Sequence, residues 1–183
     1  MTFSEKTLAA VEKIAWLLSI LGFAAKWNLL AAGNIMLILG LGALSSVYLL
    51  RAYQPAAPVE NPSFLRDNLL PKYLGIGGAV VFIGVLFKLM TWNNDTALLL
   101  VGTITTAAVV LLMALNQLFI IRTLAALALG SLLLYVPAET LVRQFHHDDP
   151  VLVTKMIYQL NHPLDRAAAA DVHQYLQQKR ATH

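Results

Sequence analysis

Apolar residues run through this chain in long blocks broken by short polar clusters, with no sustained period of two. A block of about 20 such residues is long enough to cross a bilayer as a helix. Residues 8–25 form the first, marked near its start by Glu12 and Lys13; residues 29–50, free of charge, form the second; residues 73–87 form the third. The run 96–136 carries a single charge, Arg122. As one helix it would reach about 60 Å, roughly twice the hydrocarbon thickness. It is therefore predicted to fold back at its polar dipeptide Asn116-Gln117, giving a fourth and a fifth span, with Arg122 about one turn inside the fifth and free to snorkel. The expected fold is all-α: a polytopic membrane helical bundle of about five transmembrane helices, two tandem helical hairpins plus one, with a short helical soluble tail. Its parts are a first transmembrane hairpin at 1–53, a Pro-rich polar loop at 54–72, a second hairpin at 73–115, a fifth helix at 116–136 and the tail at 137–183.

Sliding the chain by 62 residues aligns the two hairpins without a gap. Gly22-Phe23-Ala24-Ala25-Lys26 falls on Gly84-Val85-Leu86-Phe87-Lys88, and Gly40 and Gly102 each follow the lysine by fourteen residues. Trp27 and Trp92 both lie in the short connection after the lysine, beside Asn28 in one copy and Asn93-Asn94-Asp95 in the other. Each unit reads as helix, Gly-x-x-x-Lys, turn with Trp and Asn, helix. Lysine and tryptophan at a span's end suit interfacial anchors, the ammonium reaching water while the stem stays in lipid. The alternative is a buried lysine paired with an acid, which needs a carboxylate at the same depth; Asp95 is the candidate. Lys6, Lys13 and the small-x-small Gly22-Phe23-Ala24 resemble a cleaved leader, but the segment is half of the repeat and is read as a retained span. Two helices return the chain to its starting side, so the repeat is parallel rather than inverted.

Composition strengthens the membrane reading. Of the 183 residues 58% are hydrophobic and 13% charged, with a mean hydropathy of +0.65, against about 45–50% and about 25% in soluble domains. A chain of this size cannot hide that much apolar surface in its own core, which excludes a soluble domain, a disordered chain and a nucleic-acid binder. The net charge of +3 comes from few charges rather than a basic patch. Without cysteine there is no disulfide, thiolate metal site or Cys nucleophile.

The second unit, from Gly77-Gly78-Ala79-Val80 through Gly84-Val85-Leu86-Phe87-Lys88 to Trp92, resembles the first transmembrane helix of the GldL-like family. Those are cytoplasmic-membrane subunits of the proton-driven motor for gliding motility and type IX secretion in Bacteroidetes-type bacteria. The resemblance covers about 45 residues of unit two and, more faintly, Gly22, Lys26, Trp27 and Gly40 of unit one. It implies a shared hairpin fold and a bacterial inner-membrane home. The family's histidine before the tryptophan is Thr91 here, and its long cytoplasmic domain is replaced by another helix and a short tail. The family also carries a glutamate in its second helix, implied to couple proton flow to rotation; here neither 35–50 nor 97–115 contains Asp or Glu. Motor activity is therefore not expected.

Close helix contact in lipid depends on small residues. Gly42/Ser46, Gly75/Ala79 and Ala126/Gly130 have the small-x-x-x-small spacing, and Gly40 and Gly102 sit at matching repeat positions. Lys6, Lys13, Arg51, Arg66 and Lys72 fall on one side, which puts the N-terminus in the cytoplasm. Five spans leave the tail outside, four leave it in the cytoplasm with Arg143 and Lys155. The tail reads as three short helices: one starting at Pro137, one capped by Asp149 with Pro150 at its first position, and one capped by Asn161 with Leu164, Ala168, Val172, Tyr175 and Leu176 on one face. His146-His147-Asp148-Asp149 is read as a turn, since adjacent residues seldom converge on one ion, and no metal or cofactor is expected. The chain has no Gly-x-Ser-x-Gly elbow, phosphate loop or His-Glu-x-x-His, so it is not read as an enzyme. The expectation is a structural or accessory subunit of a larger membrane complex, with the bilayer and other membrane-protein subunits or a second copy as partners. The alternative is an oligomeric ion- or solute-conducting protein, with Lys26, Lys88 and Arg122 along an anion path.

Overall fold

The computed structural model describes residues 5–54, 63–92, 95–115 and 121–181, and every regular element among them is helical. One compact unit, Met1–Tyr135, holds α1 (Glu5–Trp27), α2 (Ala32–Ala52), α3 (Leu70–Met90), α4 (Asp95–Leu115) and α5 (Ile121–Tyr135). The second, Val136–His183, holds α6 (Ala138–Phe145), α7 (Pro150–Asn161) and α8 (Arg166–Ala181). Four helices are long and apolar enough to cross a membrane: α1, α2, α3 with its lead-in, and α4. At 15 residues α5 spans only about 22 Å. The count reaches five if α5 and the short helix after it are taken as one broken span. The proposed fold-back at Asn116-Gln117 lies outside the described residues, between the end of α4 and the start of α5.

In the first unit α1 packs on α2 and α3 on α4, α2 lies against α3, and α5 covers α3 and α4. α3 is thus the central helix: 67% of its apolar window is buried, against 28% for α1 and 33% for α4, whose outer faces are left for lipid. Phe82, wholly buried, meets Trp16 of α1 and Tyr48 of α2 edge-on, with ring centroids 5.6 and 5.0 Å away. Such pairs contribute about 0.5–1.5 kcal/mol each beyond area. Small residues make the close approach possible, as the weak hydrophobic drive between helices in lipid requires. A methyl group at Gly75 would come within 2.7 Å of Ala52 Cβ and Tyr48 O, and one at Gly78 within 2.5 Å of the Tyr48 ring. Ser45 Oγ donates across the same interface to the Ala79 carbonyl at 3.1 Å.

The two hairpins share detailed geometry at the 62-residue offset. A methyl at Gly22 would stand 2.7 Å from Leu37 N, and one at Gly84 2.7 Å from Leu99 Cα. A methyl at Gly40 would stand 2.7 Å from Ser19 N, and one at Gly102 2.7 Å from Val81 N. Both first helices end alike. Leu29 and Thr91 are the described non-glycine residues at positive φ, 58° and 54°. Leu30 N donates to Ala25 O and Trp92 N to Phe87 O, each at 2.9 Å, the six-to-one bond of a left-handed helix stop.

Three boundaries differ from the sequence reading. The loop expected through residue 72 gives way to a π-helical turn, Phe64–Leu69, and then α3. Pro71 had marked that stretch as loop, yet it sits in the first turn, where its missing N–H costs no bond. Asp67 Oδ2 accepts from Ser63 N at 2.8 Å and fixes the entry. In the tail, Asn161 closes α7, and Asp165 caps α8 instead, accepting from Ala167 N at 2.8 Å. Leu164 is accordingly outside the helix and 95% exposed, while Ala168 and Val172 are buried as the face requires.

Candidate functional site

Spanning helices that carry charge must neutralise it, because a bare charge among acyl chains is costly. Three polar constellations engage charged side chains in the first unit, and two of them are ion pairs. At the turn of hairpin two, Lys88 ends α3 and Asp95 opens α4, with Nζ 3.6 Å from Oδ2 and both residues buried. Each charge also suits its helix end, the ammonium at a C-terminus and the carboxylate at an N-terminus. Asp95 Oδ1 accepts from Thr96 N and from Thr96 Oγ1. The acid that the buried-lysine alternative required is therefore in place.

The equivalent turn of hairpin one has no such acid. Offset by 62, Asp95 falls on Gly33, where a Cβ would come within 2.4 Å of Lys26 N. Lys26 Nζ donates instead to Asn34 Oδ1 at 2.9 Å and to Met90 Sδ of α3 at 3.6 Å. Trp27 and Trp92 stay nearly half exposed beside these lysines, Trp92 edge-on to Phe87 at 5.0 Å.

The third constellation lies at the other end of hairpin one. Glu12, about 10 Å along α1 from Glu5, is 6% exposed and receives Arg51 of α2, Nη2 to Oε2, at 2.8 Å. Offset by 62, Glu12 and Arg51 fall on Leu74 and Met113, which together with Leu70 and Val109 form a buried apolar cluster closing hairpin two. The same place in the two hairpins is thus filled by an ion pair in one and by hydrocarbon in the other. Sequence reading treated Glu12 only as a weakness of the first span and Arg51 only as a topology signal. The register comes from the structure: opposed residues of a tight antiparallel hairpin have numbers of nearly constant sum, and Gly22 against Leu37 sets Glu12 opposite the stretch that ends at Arg51.

Of the expected packing positions, Gly40, Gly75, Ala79 and Gly102 lie at the helix contacts above. Gly130 of α5 approaches α4, where a methyl would stand 2.6 Å from Thr103 Oγ1. Gly42 faces open space, with nothing within 4 Å of a Cβ there. The Arg122 side chain lies outside the described residues.

In the tail unit, Asp149 caps α7 by accepting from Leu152 N at 3.0 Å. It also accepts from Tyr175 Oη at 3.0 Å and from Lys179 Nζ at 2.8 Å, both on α8. Lys179 above all, then the α7 amide, holds the Asp149 carboxyl below its ordinary range. The carboxylate in turn raises Lys179 and Tyr175. The His146–Asp149 stretch serves as turn and cap, and no group of three or more His, Asp or Glu able to hold a metal occurs among the described residues.

No curated protein and no solved structure matches the chain. One family model does, over residues 73–119 of the 183: the GldL N-terminal domain. Those residues cover nearly all of α3, its turn and all of α4, so the hairpin that carries the Lys88–Asp95 pair is GldL-like.

Proposed function

We propose that this chain is an inner-membrane structural or accessory subunit of a larger complex of the motor or secretion kind, acting through helix packing and tail contacts. The match of the GldL N-terminal domain to the second hairpin carries this reading. The placement of charge supports it. Lys26, Lys88, Glu12 and Arg51 are all engaged inside the bundle, so none is spread along an open path. Ile14, Leu17, Ile20, Ile35, Leu39, Val101, Ile104 and Leu111 present broad apolar faces outward. On this reading Trp27 and Trp92 are interfacial anchors, the N-terminus is cytoplasmic, and the two hairpins are copies of one ancestral unit. The shared helix stops and close contacts at the 62-residue offset favour that last point.

Extraction in mild detergent followed by affinity purification and mass spectrometry tests the assignment. The expected result is stoichiometric recovery of other membrane proteins, with no ion flux when the chain is reconstituted alone. Recovery of a lone oligomer that dissipates an ion gradient, and does so differently as Lys88→Met, would overturn it in favour of a conducting role.

A further inference from the structure

At the end of the first unit opposite the hairpin turns lies a half-open cavity of about 290 Å³. Its polar lining includes Glu5 at the start of α1, Arg51 and Gln54 around the end of α2, and Thr123 at the start of α5. Pro71 and Leu74, from the start of α3, supply an apolar side. Glu5, Arg51 and Pro71 stand at the ends of spans, so in a bilayer the cavity lies at headgroup depth. At about 30 Å³ per water it has room for roughly ten small groups. That is less than one turn of a helix about 10 Å across.

Among the described charged residues, Glu5 and Arg51 border the cavity; Lys6, Lys13 and Lys72, on the same helices, are exposed and do not. Arg51 meets Glu12 through Nη2 at 2.8 Å. A guanidinium carries five N–H donors in a planar fork, so a contact on one edge leaves it able to donate from another. The lining thus offers one carboxylate, one guanidinium and the Thr123 hydroxyl, whose residue is 2% exposed. A lone anion would face Glu5, and a lone cation would face Arg51. A hydrocarbon chain would cover all three groups and give them no partner. A ligand that bears an ammonium and a phosphate suits each of them: the carboxylate accepts from the ammonium, and the guanidinium and hydroxyl donate to the phosphate. We propose that this cavity binds an ammonium–phosphate zwitterion, presented by the headgroup of phosphatidylethanolamine, with the ammonium at Glu5 and the phosphate at Arg51. Headgroup depth and the apolar side formed by Pro71 and Leu74 favour a lipid as its bearer. The inference rests on the spans lying in a bilayer, and failure of the subunit reading above leaves it untouched.

Native mass spectrometry tests this on the full chain released from mixed micelles. The micelles hold equal amounts of phosphatidylethanolamine, phosphatidylcholine and phosphatidylglycerol with the same acyl chains. One phosphatidylethanolamine per copy is expected, retained roughly three- to fivefold over phosphatidylcholine, whose quaternary ammonium has no N–H to donate; this is the range an exposed charge pair gives. Phosphatidylglycerol, which brings no cation to Glu5, should also be retained less. Glu5→Gln should abolish the preference over phosphatidylcholine and raise phosphatidylglycerol above both, since Arg51 then borders the cavity without an opposing carboxylate. Glu5→Asp should keep the original order. Glu5 is exposed, so both variants are expected to keep the fold, which thermal melts check. Equal retention of the three lipids would mean annular lipid only and overturn the proposal. A preference for phosphatidylglycerol in the unmutated chain, or one for phosphatidylethanolamine that survives Glu5→Gln, would overturn it too. Free phosphoethanolamine should compete weakly; competition as strong as the lipid's would overturn the lipid as bearer and assign the site to a soluble zwitterion.

Discussion

Hairpin one and hairpin two are built on the same backbone plan and place their ion pairs at opposite ends. Both stop their first helix on a left-handed residue, Leu29 or Thr91. Both bring their helices together at Gly22 and Gly40 or at Gly84 and Gly102. Yet hairpin two holds its ion pair at the turn, Lys88 with Asp95, and closes its far end with Leu74 and Met113. Hairpin one sets Lys26 on an uncharged asparagine at the turn and closes its far end with Glu12 and Arg51. Helix spacing, set by small residues and a fixed stop, is thus separable from electrostatics. The far end of such a hairpin accepts hydrocarbon or an ion pair, and the turn accepts a lysine on an acid or on an amide.

The sharpest test exchanges the chemistry of the far ends. Arg51→Met takes the guanidinium away from the Glu12 carboxylate, and removal of one partner of a buried pair costs about 3–5 kcal/mol. The lower figure is expected because Arg51 is partly exposed. The double change Glu12→Leu, Arg51→Met installs the apolar pair of hairpin two and should restore stability to near that of the unmutated chain. SDS titration in mixed micelles measures both. A double variant as unstable as the single would show that the two far ends are not interchangeable. Lys88→Met against Lys88→Met, Asp95→Asn repeats the test at the turn.

How much of this was legible in the sequence follows from what each feature depends on. Four of the spans were, because a continuous apolar run needs no partner to be recognised, and the two hairpin packings were, through the spacing of Gly22, Lys26 and Gly40 and its echo. The Glu12–Arg51 pair depends on register between two helices, which no local pattern carries, so Glu12 read only as an interruption. Pro71 misled because proline punctuates loops and also opens helices. Asn161 and Asp165 are both capping types a few residues apart. Asp165 holds the role because its carboxylate reaches the free amides of α8, while Asn161 Nδ2 donates to Glu139.

The shared spacing can be attacked next. Gly22→Ala and Gly84→Ala each drive a methyl against partner backbone and should cost about 1–3 kcal/mol, nearly equally if the two contacts are equivalent. Gly42→Ala meets open space and should gain up to about 1 kcal/mol from helix propensity alone. A large difference between the first two would break the equivalence.

The tail supplies a control that should follow neither hairpin. Asp149→Ala removes a cap worth about 1 kcal/mol and the tie to α8, lowering helicity and protection in α7 and α8 only, as hydrogen exchange will report. Because the Asp149 carboxyl is held below its ordinary range, the contribution is fully present above the unfolded carboxylate range and is lost as pH falls through the folded value. Lys179 and Tyr175 are raised, so their part of the tie is lost as pH rises through their folded values.

The smallest effects are expected at the helix stops. Leu29→Gly and Thr91→Gly relieve a left-handed conformation that suits glycine and should each stabilise by about 0.5–1 kcal/mol, Thr91 more because it is β-branched. Thermal melts in detergent would resolve the pair.

The Glu12–Arg51 bridge also bears on biogenesis. Emerging alone from a translocon, α1 would offer the Glu12 carboxylate to the lipid without Arg51, an expense of the order of a few kcal/mol. The guanidinium that meets it arrives with the last turn of α2, where Arg51 stands. The first two segments therefore gain from partitioning together as a preassembled couple, whereas α3 and α4 hold their opposite charges at the turn that joins them and carry their own neutrality across.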